Sequence, residues 1–104
     1  IPSPTQDLEA RATWLSQAMA GNWSALDASV QQWRQELADF LLGCEQDCII
    51  FSHYVAINAA VGAAMEDDRM RIFGPDNCSV TTLDNNGGKL SVIELGRVAD
   101  THIN

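Results

Sequence analysis

The stretch Cys48–Met65, CIIFSHYVAINAAVGAAM, runs from an unbroken apolar tetrad through Ser52 and His53 into a long segment of small residues. Its first part, Cys48–Phe51, has the continuous apolar character of a strand covered on both faces in a parallel sheet. Its second part, Tyr54–Met65, is rich in Ala, Val, Ile and Gly, with Ile57, Val61 and Ala64 on one face and Ala60 beside them. That spacing predicts a helix packed close to a sheet. A strand running into a helix places His53 at the strand's carboxyl end. There, open α/β sheets bind ligands and the following helix presents its free N–H groups.

Upstream, Ser3, Pro4 and Gln6 match an N-cap, a first-turn proline and a capping-box partner. Leu8, Ala12, Leu15 and Met19 then recur at helical spacing until Gly21 ends the pattern. A second helix is predicted from near Asp27 to Gly43, with Val30, Trp33, Leu37 and Phe40 or Leu41 on one face. Trp14, Trp23 and Trp33 read as packing anchors, with substrate stacking as the alternative use of any one of them. Downstream, the polar loop EDDRMRIFGPDN leads to two β-like stretches, Cys78–Leu83 and Lys89–Leu95, joined by DNNGG. Asn and Gly tolerate the positive φ of a tight turn, so this is a hairpin signal. The order helix, helix, strand, helix, hairpin predicts an α/β architecture.

No internal repeat or low-complexity tract divides the 104 residues, which predicts one domain or part of one. The chain opens on IPSP with neither an initiator Met nor a targeting segment, so it is expected to be processed or a piece of a longer protein. Fourteen acids against six Lys and Arg give a net charge of -8, which argues against a nucleic-acid partner. A small phosphorylated substrate stays open, because a local site can be positive on an acidic surface. The apolar runs fall short of the roughly 20 residues a membrane span needs, so no membrane partner is expected. Three sparse cysteines, Cys44, Cys48 and Cys78, suit reduced thiols in a cytoplasm. Cys44 and Cys48 are either two metal ligands, for which no third or fourth ligand stands at zinc spacing, or small hydrophobes beside and inside the strand. No phosphate-binding glycine motif is present, and NNGGK sits in the hairpin rather than between a strand and a helix.

His53 therefore has two readings. It meets an anion together with the amides of Tyr54 and Val55, by hydrogen bond, charge or proton transfer, and a phosphoryl group fits all three. Alternatively it caps the helix or fills a polar notch.

IIFSHYVAINAAVGAA followed by PDNCSVTTLDNNGGKLSVIELG resembles the C-terminal half of the histidine phosphatase superfamily, the phosphoglycerate-mutase-like group. In that family an apolar strand runs into a Ser-His or Thr-His pair, a small-residue helix follows, and an N-x-S-V-T strand precedes the last strand. SPTQDLEARATWLSQAM and WRQELADFL resemble the two helices before the family's second histidine, so the likeness extends from about Pro2 to Asn104. The resemblance implies a three-layer α/β sandwich with a mainly parallel sheet, of which residues 1–104 are the C-terminal part of a single domain. It implies a phosphatase that hydrolyses a small phosphorylated substrate through a phosphohistidine, or a phosphomutase on the same fold. A non-catalytic interaction domain is the third possibility. His53 matches the second histidine, which stabilises the transferring phosphoryl group, with Tyr54 and Val55 beside it as phosphate-binding positions. The scheme requires no metal and no cofactor.

The sequence departs from the family at the nucleophile. It has no Arg-His-Gly, and its only other histidine, His102 in DTHIN, has no such surroundings. The nucleophile and the catalytic acid are expected before Ile1. Asp7 and Glu9 are fallback acids that equally suit the solvated face of a helix, and a second phosphate-binding arginine is also expected upstream. Arg11, Arg34 and Arg97 lack the motif context for that role. Asn77 and Ser79 border the pocket or begin a strand, and Tyr54 faces the pocket mouth or the loop before Asp76. A strand without neighbours exposes unpaired edge groups, so a companion N-terminal fragment or a homodimer is the expected partner.

Overall fold

The computed structural model describes residues 1–4 and 7–98. Helix α1 spans Leu8–Met19, a 3-10 turn covers Trp23–Ala25, α2 spans Ala28–Leu42 and α3 spans Tyr54–Met65. Strands β1, Thr82–Asn86, and β2, Lys89–Glu94, form one antiparallel pair.

Each helix starts where a side chain or the backbone can serve its first turn. Asp7 caps α1 by accepting from the Ala10 N–H at 3.2 Å, so the cap is Asp7 and not Ser3. Gln6, the expected capping-box partner, lies outside the described residues. Asp27 caps α2, accepting from the Ser29 amide at 3.1 Å and the Ser29 hydroxyl at 2.7 Å, and these bonds hold its carboxyl below the usual carboxylate range. Helix α2 ends at Gly43 as its sequence predicts. Helix α3 ends on Glu66, whose left-handed φ of 56° lets Asp67 N–H reach the Gly62 carbonyl at 2.8 Å.

The core lies between the helices. Trp23, Val30 and Met70 are buried with Ala18 of α1 and with Val55 and Ala59 of α3, while Trp14, Leu15, Trp33 and Leu37 pack around them. All three tryptophans therefore serve packing, and Trp23 and Trp33 stack with ring centroids 6.2 Å apart. The small residues of α3 let neighbours approach closely: a Cβ at Gly62 would meet Arg34 Nη2 at 3.1 Å and the Asp67 carbonyl at 3.2 Å.

The hairpin forms with a tighter turn than its sequence suggests. Asn86 pairs directly with Lys89, leaving a two-residue turn of Gly87 and Gly88 with φ of 64° and 77°. Its first strand begins at Thr82 rather than Cys78, and the register shifts between Thr82 and Leu83. Leu90 is buried, and β2 lies against α3 and α2.

The expected three-layer sandwich with a mainly parallel sheet is not what this chain builds. Three helices and a two-stranded antiparallel sheet make up the described fold. Cys48–Phe51 is not a strand, and its side chains are exposed, Ile49 at 87% and Phe51 at 96%. A parallel strand exists only through neighbours that take up its N–H and C=O groups. Among the described residues the two strands pair with each other, and neither pairs with Cys48–Phe51. No helix among the described residues is long and apolar enough to cross a membrane.

Candidate functional site

The route to His53 starts at the end of α2. Asn85 on β1 reaches across to it, its amide nitrogen donating to the carbonyls of Leu41, Leu42 and Cys44 at 3.1, 2.7 and 3.0 Å. Leu41 and Leu42 belong to the last turn of α2 and Cys44 follows its Gly43 cap, and Asn85 adds to the Cys44 N–H that already reaches the Leu41 carbonyl at 3.2 Å. The chain then runs without regular structure to His53, the N-cap of α3.

His53 has extended backbone, φ -140° and ψ 170°, and its carbonyl accepts the first α-helical bond, from Ile57 N–H at 2.9 Å. Its side chain is exposed and makes no capping hydrogen bond. The cap position is thus filled by the His53 backbone alone. Helix geometry leaves the first-turn amides, those of Tyr54 and Val55, without intrahelical acceptors. The Val55 side chain belongs to the core, so only its backbone can serve a ligand. Tyr54 leans over the loop, its hydroxyl 3.4 Å from where a Cβ on Gly74 would stand.

Asn58, one turn further along, was not singled out by its sequence context. It is fully buried, donates to the Tyr54 carbonyl at 3.1 Å, and accepts from the Ile72 and Phe73 amides at 2.6 and 3.0 Å. It therefore fixes the 72–74 loop against the helix start that carries His53. The available signal was an amide side chain in the middle of an otherwise apolar helix.

The remaining candidates are engaged elsewhere. Asp7 caps α1, and Glu9 and Arg11 are exposed on that helix. Arg34 lies 5.3 Å over the Trp23 ring and donates to the Asp67 carbonyl at 2.8 Å, and burial pushes its pKa down against the pull of Asp68 and Asp67. Arg97 pairs with Asp76 at 2.9 Å and donates to the Asn77 carbonyl at 3.2 Å. The Ser79 hydroxyl donates to the Asp76 carbonyl at 2.7 Å, so Ser79 and Asn77 build the turn before the hairpin. His102 lies outside the described residues. Asp67 is held down to about 2, first by the hydrogen bonds from the Arg69 side chain and then by the Arg69 amide.

Two cavities adjoin these elements. The larger, about 560 Å³, lies between α2, α3, the hairpin and the 44–52 segment, with Leu37, Ile50, Ala60 and Leu90 among its walls. Glu45, Asp47 and Asp84 give it acidic edges, and Ser52 lines it while His53 and Tyr54 do not. The smaller, about 290 Å³, is bordered by Trp23, Arg34 and Asp68. Asp68 there accepts from the Ser24 hydroxyl and amide. Among the described residues no group of three or more His, Cys, Asp and Glu side chains is placed to hold a metal ion.

Compared with protein-family models, curated proteins and solved structures, the chain matches none of them.

Proposed function

We propose that this chain contributes the second histidine of a phosphatase site acting on a small phosphorylated substrate in the cytoplasm. The observation that carries the reading is His53 at the N-terminus of the twelve-residue α3, exposed and not spent on capping. A helix N-terminus attracts anions through its free amides and its dipole, and a protonated imidazole beside it adds charge. In this reading a histidine supplied from outside these residues attacks phosphorus. The P–N bond forms as the P–O bond to the leaving group breaks, and a proton is delivered to the departing oxygen. Water then attacks the phosphohistidine, the P–N bond breaks, and inorganic phosphate leaves. His53 and the amides of Tyr54 and Val55 hold the equatorial oxygens in both steps.

Titration of the chain with inorganic phosphate or vanadate, followed in ¹H–¹⁵N spectra, tests this directly. The Tyr54 and Val55 amides and the His53 ring shift together and saturate, and His53→Ala weakens the binding by about tenfold to a hundredfold. Saturable shifts that map elsewhere, or that ignore His53→Ala, sink the reading.

A second reading, an interaction domain without turnover, is favoured by the absence of Arg-His-Gly and by the exposed Ile49 and Phe51, which flank Ile50 of the larger cavity in the chain. Addition of a companion segment carrying Arg-His-Gly separates the two. Phosphate-ester hydrolysis that appears with the companion and is lost in His53→Ala supports the phosphatase. Binding without hydrolysis supports the interaction domain.

A further inference from the structure

Cys44 and Cys48 form a cluster that neither functional reading uses. Cys44 follows the Gly43 cap of α2, and its position is set twice over. Its thiol donates to the Phe40 carbonyl at 3.5 Å, and its own carbonyl accepts from Asn85 at 3.0 Å. Cys48 is four residues on, exposed, in a segment without regular structure. Both line the larger cavity, only four residues apart in the chain. Both are reduced, as is Cys78, which is exposed on a separate loop.

We propose that Cys44 and Cys48 are a redox-modification site that closes to a disulfide on reaction with a low-molecular-weight disulfide such as glutathione disulfide. The segment between them has no helical hydrogen bonds to break, so it can bend to the Cα separation of about 4.4–6.8 Å that a disulfide demands.

The order of events follows from exposure. The Cys48 thiolate attacks one sulfur of glutathione disulfide, having given up its proton. A Cys48–glutathione bond forms and one glutathione departs, taking up that proton. Cys44 then attacks the Cys48 sulfur, the mixed disulfide breaks, and the second glutathione leaves with the proton Cys44 gives up. Two thiols are oxidised and one disulfide is reduced. Hydrogen bonding with the Cys48 thiol, and then partial burial, raise the Cys44 pKa, so the second step is faster at alkaline pH. Closure ties the end of α2 to the segment that leads into His53 and removes both thiols from the cavity wall.

Cys78 serves as an internal control. Incubated with excess glutathione disulfide and analysed as intact protein and by peptide mapping, the native chain is expected to carry one glutathione, on Cys78, and a Cys44–Cys48 link. Cys44→Ser should instead hold a glutathione on Cys48 as well. A wild-type chain that retains glutathione on Cys48, with Cys44 free or itself adducted, overturns the proposal. A second measurement tests whether the fold brings the pair together. The equilibrium between dithiol and disulfide, set against a series of glutathione ratios, should favour closure about tenfold or more in buffer than in concentrated urea. Equal constants in the two conditions would mean that the fold does not place the thiols, and the proposal falls.

Discussion

Helix α3 and the apolar tetrad Cys48–Phe51 are separated only by Ser52 and His53, yet they end in opposite states. In α3, Ala59 and Val61 are fully buried, whereas Ile49 and Phe51 stand almost wholly in solvent. Composition does not separate them. The source of their hydrogen bonds does. A helix closes its ladder within a few residues, so the sequence that specifies it is local. A strand must find its partner elsewhere, and here the described strands have already found each other. An apolar tetrad states what a segment would bury, but not whether anything is there to bury it.

The largest expected effect tests the buried side of this contrast. Asn58→Leu keeps the volume of the side chain but leaves the Ile72 and Phe73 amides without their acceptor. Stranding two buried donors is expected to cost about 3 kcal/mol, read from urea unfolding. The 72–74 loop should also lose hydrogen-exchange protection ahead of the helices. A cost near zero would mean that the loop finds water instead, and that α3 is not the rigid floor under His53.

Gly62→Ala is the next largest. Alanine gains about 1 kcal/mol of helix propensity over glycine. Here the new methyl meets Arg34 Nη2 and the Asp67 carbonyl, which are hydrogen-bonded to each other at 2.8 Å and so move only together. Overpacking of this kind costs about 1–3 kcal/mol, so a net loss of about 1 kcal/mol is expected. A gain in stability would show that the α2–α3 contact is looser than its distances.

Acid titration probes the far end of the same helix. Asp67 falls from an ordinary value of 3.8 to about 2 in the folded chain, chiefly through the Arg69 hydrogen bonds. A depressed carboxylate stabilises the fold above its unfolded value, and that contribution disappears as pH falls from about 4 to about 2. Unfolding midpoints should decline through that window, and Asp67→Asn should flatten the decline. An unchanged slope in Asp67→Asn would place the acid sensitivity in other carboxylates, such as Asp27.

How much was legible follows the same line between local and distant causes. The bounds of α2 and α3 and the existence of the hairpin could be read from caps, spacing and the Gly87-Gly88 turn. His53 was placed correctly at a helix start because the small-residue pattern begins at Tyr54. The parallel sheet expected around Cys48–Phe51, from its apolar run and from the resemblance alike, is absent among the described residues, because a run of apolar residues does not say which strands stand beside it. Asn58 and Asn85 escaped notice for a related reason. Each serves backbone groups 14 or more residues away, and an amide in an otherwise apolar helix, the one local sign of Asn58, does not say which distant groups it serves.

The smallest effect is the sharpest test of the exposed side. Phe51→Ser in a packed strand would remove a buried aromatic and cost about 3–5 kcal/mol. With Phe51 at 96% exposure, its removal takes almost no apolar area out of contact, and the change should stay within about 0.5 kcal/mol. The Asn58 and Phe51 substitutions thus differ in cost in the reverse of what hydrophobicity alone would suggest, the polar residue being the structural one. If Phe51→Ser instead lowers the urea midpoint substantially in the isolated chain, the 48–51 segment is packed in solution, and the contrast with α3 dissolves. If the midpoint holds but the variant loses affinity for a companion segment, the exposed side chain is an interface residue, and its value is realised only when a partner covers it.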